Sequence, residues 1–302
     1  MDSAELEAFT NKFSHRIRGE HLFKGNLLHV DMLDNEDEQD FNNMKLKKED
    51  IIVSAYPKSG TTWTEEIVWL INNNGDIEAA KKTPLYMRFP FIEVKQAFSA
   101  IRTMPSPRFI KTHLDYPAFS AMYDSNQTDR PKVIYVVRNP KDVAVSFYNF
   151  YKMNKNLGSF TGPFSEFLSM FMEGYVVLGD YFKNVLGWYE ASIKDDHILL
   201  VKYEDLKTSP LEQIKQIAGF LEKDLGDDVL TAICDHVSFA NMKANPMVNY
   251  EGFPIMDHNI SPFMRKGEIG DWKNYFTTEE DAAFMKLYQE KMKDTSLTFA
   301  FE

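Results

Sequence analysis

The sequence predicts an α/β protein, a single domain in which a mostly parallel central sheet is flanked by helices. Three observations carry this. Residues 51–55 (IIVSA) form a short β-branched run ending at Tyr56-Pro57, the profile of a buried strand. Residues 133–137 (VIYVV) repeat the pattern and lead through Arg138-Asn139-Pro140 into a helical segment. A third run at 198–201 precedes Tyr203-Glu204-Asp205 and a helix near 210–221. Strands that alternate with helices imply parallel pairing, because the helix returns the chain to the starting end of the sheet.

The elements follow in order. Residues 31–40 (DMLDNEDEQD) hold six carboxylates in ten positions and predict an exposed loop. After the first strand, Thr61 to Asn73 shows helical spacing. Trp63, Ile67, Leu70 and Ile71 share one side, and Asn74-Gly75 ends the segment. Phe109-Ile110-Lys111 adds a short strand. The helix after the 133–137 strand runs from about Lys141 through Tyr151, with Pro140 suited to its first turn. There is no internal repeat and no low-complexity linker. Ligands of such sheets bind beyond the carboxyl ends of the strands. The polar clusters at 56–63, 111–113, 138–146 and 203 fall there.

Composition narrows the function classes. The 302 residues are 44% hydrophobic and 26% charged, which excludes a disordered or fibrous chain. Lys plus Arg number 34 against 45 Asp plus Glu, a net charge of -11, and a non-specific nucleic-acid binder carries the opposite field. No nucleic-acid partner is expected. Cys234 is the sole cysteine, so an intrachain disulfide and a cysteine-based metal cluster are both excluded. The apolar stretches at 133–137 and 198–201 fall far short of the ~20 residues that span a bilayer. The N-terminus, MDSAELEAFTNKFSHRIRGEHL, has no apolar signal core. A cytoplasmic protein without a membrane partner is expected. Asn126-Gln127-Thr128 and Asn259-Ile260-Ser261 therefore read as chance matches to the glycosylation pattern.

The strongest signal is YPKSGTTW at 56–63. A strand running into Lys-Ser-Gly-Thr-Thr at a helix start aims backbone N–H groups, two hydroxyls and an ammonium at one point. That combination suits a phosphate-like oxyanion. The order differs from the ATP-type pattern GxxxxGK(S/T), since Lys58 precedes Gly60. The plainer alternative is a capped helix with a solvated lysine, against which the preceding strand and the following aromatic both argue.

YPKSGTTW resembles the 5′-phosphosulfate loop of the cytosolic sulfotransferases. The match continues at KTHL (111–114), RNPKDVAVSFYNF (138–150), KYEDL (202–206), SFANMKANPMVNY (238–250) and SPFMRKGEIGDWKNYF (261–276), covering roughly residues 45–300 in the family's order. The resemblance implies a P-loop-like phosphosulfate-binding fold. It also implies sulfuryl transfer from 3′-phosphoadenosine 5′-phosphosulfate (PAPS), with PAP as product, to a hydroxyl or amine of a small acceptor (phenol, steroid, alcohol or arylamine). Residues 45–302 would form the transferase domain, and 1–44 would contribute to the rim of the acceptor site within one structural domain.

Chemistry and resemblance agree on the donor site. The donor carries about four negative charges, so an acidic protein needs a local cationic pocket. Lys58, Lys111, Arg138, Arg265 and Lys266 supply one if the motifs converge. By the resemblance, Lys58 meets the bridging oxygen as the leaving phosphate gains charge. Thr61, Thr62 and the amides of Ser59 and Gly60 hold the 5′-phosphate, and Trp63 stacks on the adenine. Arg138, Ser146, Arg265, Lys266 and the Gly267 amide take the 3′-phosphate, while Ser146 also restrains Lys58. Tyr203, Ser238, Phe239, Met242, Phe263 and Met264 complete the nucleotide's surroundings.

His113 is the expected general base, since imidazole has a reference pKa near 6.5. Lys111, two residues earlier and on the same side of the strand, would steady the sulfuryl oxygens. The other histidines form no HExxH or comparable set, so no metal is expected. Phe91, Phe150 and Tyr250 match family positions near the acceptor and would form an apolar slot with Lys111 and His113.

Some positions depart from the family. Val237 stands where a Thr often contacts the adenine, and residues 31–40 fall where a pocket aromatic is usual. Carboxylates near the mouth would favour a cationic amine, if they are not simply solvated. The family's dimer segment KxxxTVxxxE survives only as Lys273 and Thr277, with Thr278 and Ala282 replacing Val and Glu. A monomer or weak homodimer follows. A nucleotide kinase is opposed by the loop order and by the lack of an evident Mg²⁺-holding strand end. A nucleotide sensor without turnover would have no need of Lys58, His113 and Ser146 together.

Overall fold

The computed structural model describes residues 1–122 and 130–302, and the Asn126-Gln127-Thr128 match lies outside the described residues. Two short strands near the N-terminus, β1 (His21–Phe23) and β2 (Asn26–Leu28), form an antiparallel hairpin. Its turn, Lys24-Gly25, has positive φ at both positions (48° and 77°), which matches the twist of the flanking strands. The central sheet comprises β3 (Ile51–Ala55), β4 (Phe109–Thr112), β5 (Lys132–Val137) and β6 (Ile198–Lys202). All are parallel, in the order β4-β3-β5-β6. This is the predicted architecture.

Alternation along the strands sorts side chains into two cores. Ile52, Val133, Tyr135 and Val137 join a cluster with Leu27, Phe147 and Trp188, from the hairpin and the helices Pro140–Met153 and Tyr181–Lys194. Ile51, Val53, Ala55, Ile134 and Val136 face the helices Thr61–Asn72, Pro210–Phe220 and Asp227–His236 through Ile67, Ile214 and Ile233. Because the strands are parallel, their carboxyl ends lie on one edge. Tyr56, His113, Arg138 and Tyr203 follow those ends directly.

One expectation needs correction. The acidic stretch 31–40 is not simply an exposed loop. Met32 and Leu33 are buried, Met32 bridges Val94, and Glu38 opens the helix Glu38–Asn43. Basic partners make this possible: Lys95 holds Asp34 and Asp37, Arg102 holds Asp40, and Lys24 holds Glu38. Tyr203-Glu204-Asp205 is itself the start of a short helix, Tyr203–Thr208. Among the described residues, no helix is long and apolar enough to cross a membrane.

The helix Tyr181–Lys194 clamps the segment after β4 with residues one turn apart. Asn184 Nδ2 donates to the His113 carbonyl (3.1 Å), and Trp188 Nε1 donates to the Leu114 carbonyl (3.0 Å). Trp188 also stacks on Tyr135, with ring centres 4.9 Å apart. Trp188→Phe keeps an aromatic ring there but leaves a buried carbonyl without its donor. We expect a loss of about 1–3 kcal/mol, read as a lower urea midpoint at unchanged m-value. An unchanged midpoint would contradict the clamp.

Candidate active site

The chain leaves β3 through a turn in which Lys58 (φ 71°) and Gly60 (φ 112°) adopt left-handed backbone. Gly60 is the N-cap of Thr61–Asn72, and no side chain caps that helix. The Thr61 and Thr62 amides therefore remain available to an anion, whereas the Trp63 amide donates to the Gly60 carbonyl (3.1 Å). Ser59, Thr61 and Thr62 are buried, but of the three only Thr61 and Thr62 line the cavity; the Ser59 amide, expected to face the 5′-phosphate, donates instead to the Tyr56 carbonyl (3.2 Å). A Cβ at position 60 would meet the Tyr203 ring at 2.8 Å. Tyr203 in turn packs edge-on against Trp63, 5.6 Å between centres.

The distant cations converge. Lys58, Lys111, Arg138, Arg265 and Lys266 line one cavity of about 1440 Å³. The Lys58 ammonium stands 4.2 Å from the ring centres of both Phe150 and Phe263. Burial, helped by Lys111, Arg138 and Arg265, lowers its pKa to about 7. Arg138 lies over the Tyr203 ring at 4.2 Å and donates to the Glu268 carbonyl (2.8 Å), while its Nε is unpartnered. Asp271 holds both Arg265 and Lys266. The same loop is tied back by Asp142, which accepts from the Gly270 amide (2.8 Å) and the Trp272 amide (3.0 Å). Ser146 lines the cavity, but no hydrogen bond joins it to Lys58 among the described residues.

His113 sits just past β4, 7% exposed. Its Nδ1 lies 2.6 Å from the Ala55 carbonyl, an acceptor, so the ring proton is on Nδ1 and the Nε2 lone pair is free. Burial, then the charges of Lys111 and Lys58, hold its pKa well below the usual value, with the Ala55 bond opposing them. The imidazole is neutral at physiological pH. The buried Glu93 carboxylate fixes the segment: its Oε1 accepts from Thr112 Oγ1 (2.8 Å), the His113 amide (2.5 Å) and the Leu114 amide (2.8 Å).

The remaining expected residues also reach the cavity: Phe91, Tyr250, Met242, Met264, Ser238 and Phe239. Phe91 packs edge-on against His113 at 5.0 Å, and Tyr250 lies 4.6 Å from Phe263. Ser238 Oγ is already engaged as the cap of the helix Phe239–Ala244. Val237 is buried in the cavity wall. Sequence reasoning missed Glu93, Asn184, Trp188, Asp142 and Asp271, which hold the site residues from behind. The RFPFIE segment contained one signal, an acid two residues from Phe91 in an apolar run.

An open anion-binding loop, converging cations and a free imidazole at the carboxyl edge of a parallel sheet define a group-transfer enzyme with an anionic donor. The family model described as Sulfotransferase domain matches residues 48–296, and the chain belongs to that family. It is 44% identical over 267 residues to sulfotransferase 1B1 of Canis lupus familiaris, spanning 85% of this chain and 88% of that one. Against sulfotransferase 1 family member D1 of Mus musculus it is 43% identical over 267 residues, spanning 86% and 89%. Retinol dehydratase in complex with androsterone and inactive cofactor PAP superposes with a TM-score of 0.84 at 27% identity, covering 99% of this chain and 96% of that one. Mouse sulfotransferase SULT7A1 complexed with PAP superposes at 0.74 with 32% identity, covering 91% and 95%.

Gly267 tests how tightly the cationic loop is built. Its φ is 67°, and an added Cβ would meet the Phe239 ring at 2.2 Å. Gly267→Ala is expected to cost about 1–3 kcal/mol through backbone strain and displacement of the ring. Equilibrium unfolding checks this, and a wild-type midpoint would show that the loop is loose.

Proposed function

We propose that this sulfotransferase moves a sulfuryl group from PAPS to a hydroxyl or amine of a small, largely apolar acceptor, releasing PAP. The observation that carries the reading is a neutral imidazole with a free Nε2 lining the same cavity as the Lys58 ammonium. The chain fits such a donor. Trp63 Nε1 and Arg138 Nε are buried polar atoms without partners on residues that line the cavity. Among the described residues no cluster of three or more His, Cys, Asp or Glu side chains could hold a metal. Two structural relatives are described as complexes with PAP, which supports the nucleotide assignment.

Each residue has a task in the transfer. His113 Nε2 takes the proton of the acceptor hydroxyl as its oxygen bonds to sulfur. The bond from sulfur to the bridging oxygen breaks, and the Lys58 ammonium meets the charge that develops there. Lys111 steadies the sulfuryl oxygens. The Ser59, Gly60, Thr61 and Thr62 loop holds the 5′-phosphate, and Arg138, Ser146, Arg265, Lys266 and Gly267 take the 3′-phosphate. Trp63, Tyr203, Ser238, Phe239, Met242, Phe263 and Met264 enclose the nucleotide. Arg265 and Lys266 must first share or leave Asp271.

Phe91, Phe150 and Tyr250 frame the acceptor slot. Val30, Tyr86, Met87 and Met104 are exposed large apolar side chains that also line the cavity. Water is a poor neighbour for such groups, which supports an acceptor with an apolar body: a phenol, steroid, alcohol or arylamine. His29 to Met32 line the cavity too, so we assign residues 1–44 to the acceptor rim and 45–302 to the transferase domain. A cytoplasmic location is part of the same proposal. A monomer or weak homodimer is also assigned: Lys273 is paired within the chain by Glu302, and Thr277 is used as a helix cap.

His113→Ala should lose at least roughly a hundredfold in turnover, with PAP affinity little changed because the base touches the acceptor. PAP should bind far more tightly than adenosine 5′-phosphate, each cation contact to the 3′-phosphate contributing about 1.5–3 kcal/mol. Labelled-donor turnover and nucleotide titration check both. Near-normal turnover in His113→Ala, or equal affinity for the two nucleotides, would refute the assignment.

A further inference from the structure

Two adjacent carboxylates on the helix Thr61–Asn72 have opposite surroundings. Glu66 is satisfied, accepting from Arg88 Nη2 (2.6 Å) and lying 2.9 Å from His236 Nε2. Glu65 is equally buried, yet neither of its oxygens has a hydrogen-bond partner. Its nearest cation is the Lys111 ammonium, 3.9 Å away, and no other carboxylate lies within 4.0 Å of Lys111 among the described residues. A fully buried acid with no hydrogen bonds is costly to keep at a helix position that any apolar residue would fill. Its sole close partner is the cation assigned to the sulfuryl oxygens.

We infer that Glu65 is a positioning residue that keeps the Lys111 ammonium charged and fixed beside the transfer site. The inference rests on the reading above for the role of Lys111. The pair explains how Lys111 tolerates its surroundings. Lys111 helps to lower the pKa of Lys58, and the neighbouring imidazole of His113 is neutral. Although burial pulls the pKa of Lys111 down, the Tyr250 hydroxyl and the Glu65 and Glu93 carboxyls leave it above the usual value. Burial raises Glu65 itself to about 7, against the opposing pull of Lys111 and Arg88 and with the help of Glu66. From about pH 7 upward the two groups therefore form a desolvated ion pair. Removing the carboxylate takes away one of the groups that offset the burial of Lys111, so its pKa must fall.

The test compares wild type with Glu65→Gln, which keeps the shape and removes the charge. Lys111 is acylated by an amine-selective reagent across pH 6 to 11, and its modification is read by peptide mass spectrometry. The midpoint should move down by about one pH unit or more in Glu65→Gln. Turnover should be little changed near pH 7.5, its alkaline limb should move down with the acylation midpoint, and PAP affinity should stay within about twofold. In a Lys111→Met background the Glu65→Gln change should have no further effect on turnover. Glu65→Asp should restore part of the alkaline limb, and Glu65→Leu, which also removes the charge, replaces Glu65→Gln if the latter does not fold. An unchanged acylation midpoint, or an equal turnover loss in both backgrounds, would overturn the inference. A shifted midpoint in a wild-type protein that transfers no sulfuryl group would support the pair and refute the functional reading instead.

Discussion

Lys58, Lys111, Arg138, Arg265 and Lys266 must be held around one cavity before any anion arrives, and most of the site's construction answers to that constraint. Two like charges 4 Å apart repel by about 4 kcal/mol at an effective dielectric near 20. The protein relieves the repulsion at nearly every position. Asp271 holds Arg265 and Lys266, Asp142 lies 3.8 Å from Arg138, and Glu65 lies 3.9 Å from Lys111. Lys58 differs. It has no carboxylate partner among the described residues and is stabilised by the faces of Phe150 and Phe263. Its proton is accordingly the one most easily lost.

The proposed base is secured differently. His113 is gripped on its ring by the Ala55 carbonyl, on its amide by Glu93, and on its carbonyl by Asn184. These partners come from the end of β3, the RFPFIE segment and the helix Tyr181–Lys194, so three elements converge on one residue. The bonds fix both the tautomer and the place of the imidazole, while the loop cations keep partners that a phosphate can displace. A rigid imidazole beside exchangeable cations suits an enzyme whose donor brings its own negative charge.

The strands at 51–55, 109–111, 133–137 and 198–201 were legible because apolar runs bounded by turn residues have few other solutions. The loop at 56–63 was legible because its residue types converge on anion chemistry. Glu93, Asp142, Asp271, Asn184 and Trp188 were not, since their partners are backbone groups brought near only by the fold. The acidic stretch 31–40 was misread for a related reason. Local composition reported its charges, but not Lys95 and Arg102 across the contact, nor the burial of Met32 and Leu33. Pairings distant in sequence leave no local pattern to read.

The cation constraint is tested most directly at Lys58. With a pKa near 7 in the free protein, Lys58 is mostly neutral at pH 8, and a bound polyanion raises that pKa. Titrating PAP calorimetrically at pH 8 in buffers of different ionisation enthalpy should therefore reveal uptake approaching one proton per PAP. The phosphates of PAP are already fully ionised at that pH and contribute little. The uptake should disappear in Lys58→Met. Binding at pH 8 without proton uptake, or with the same uptake in Lys58→Met, would contradict the account.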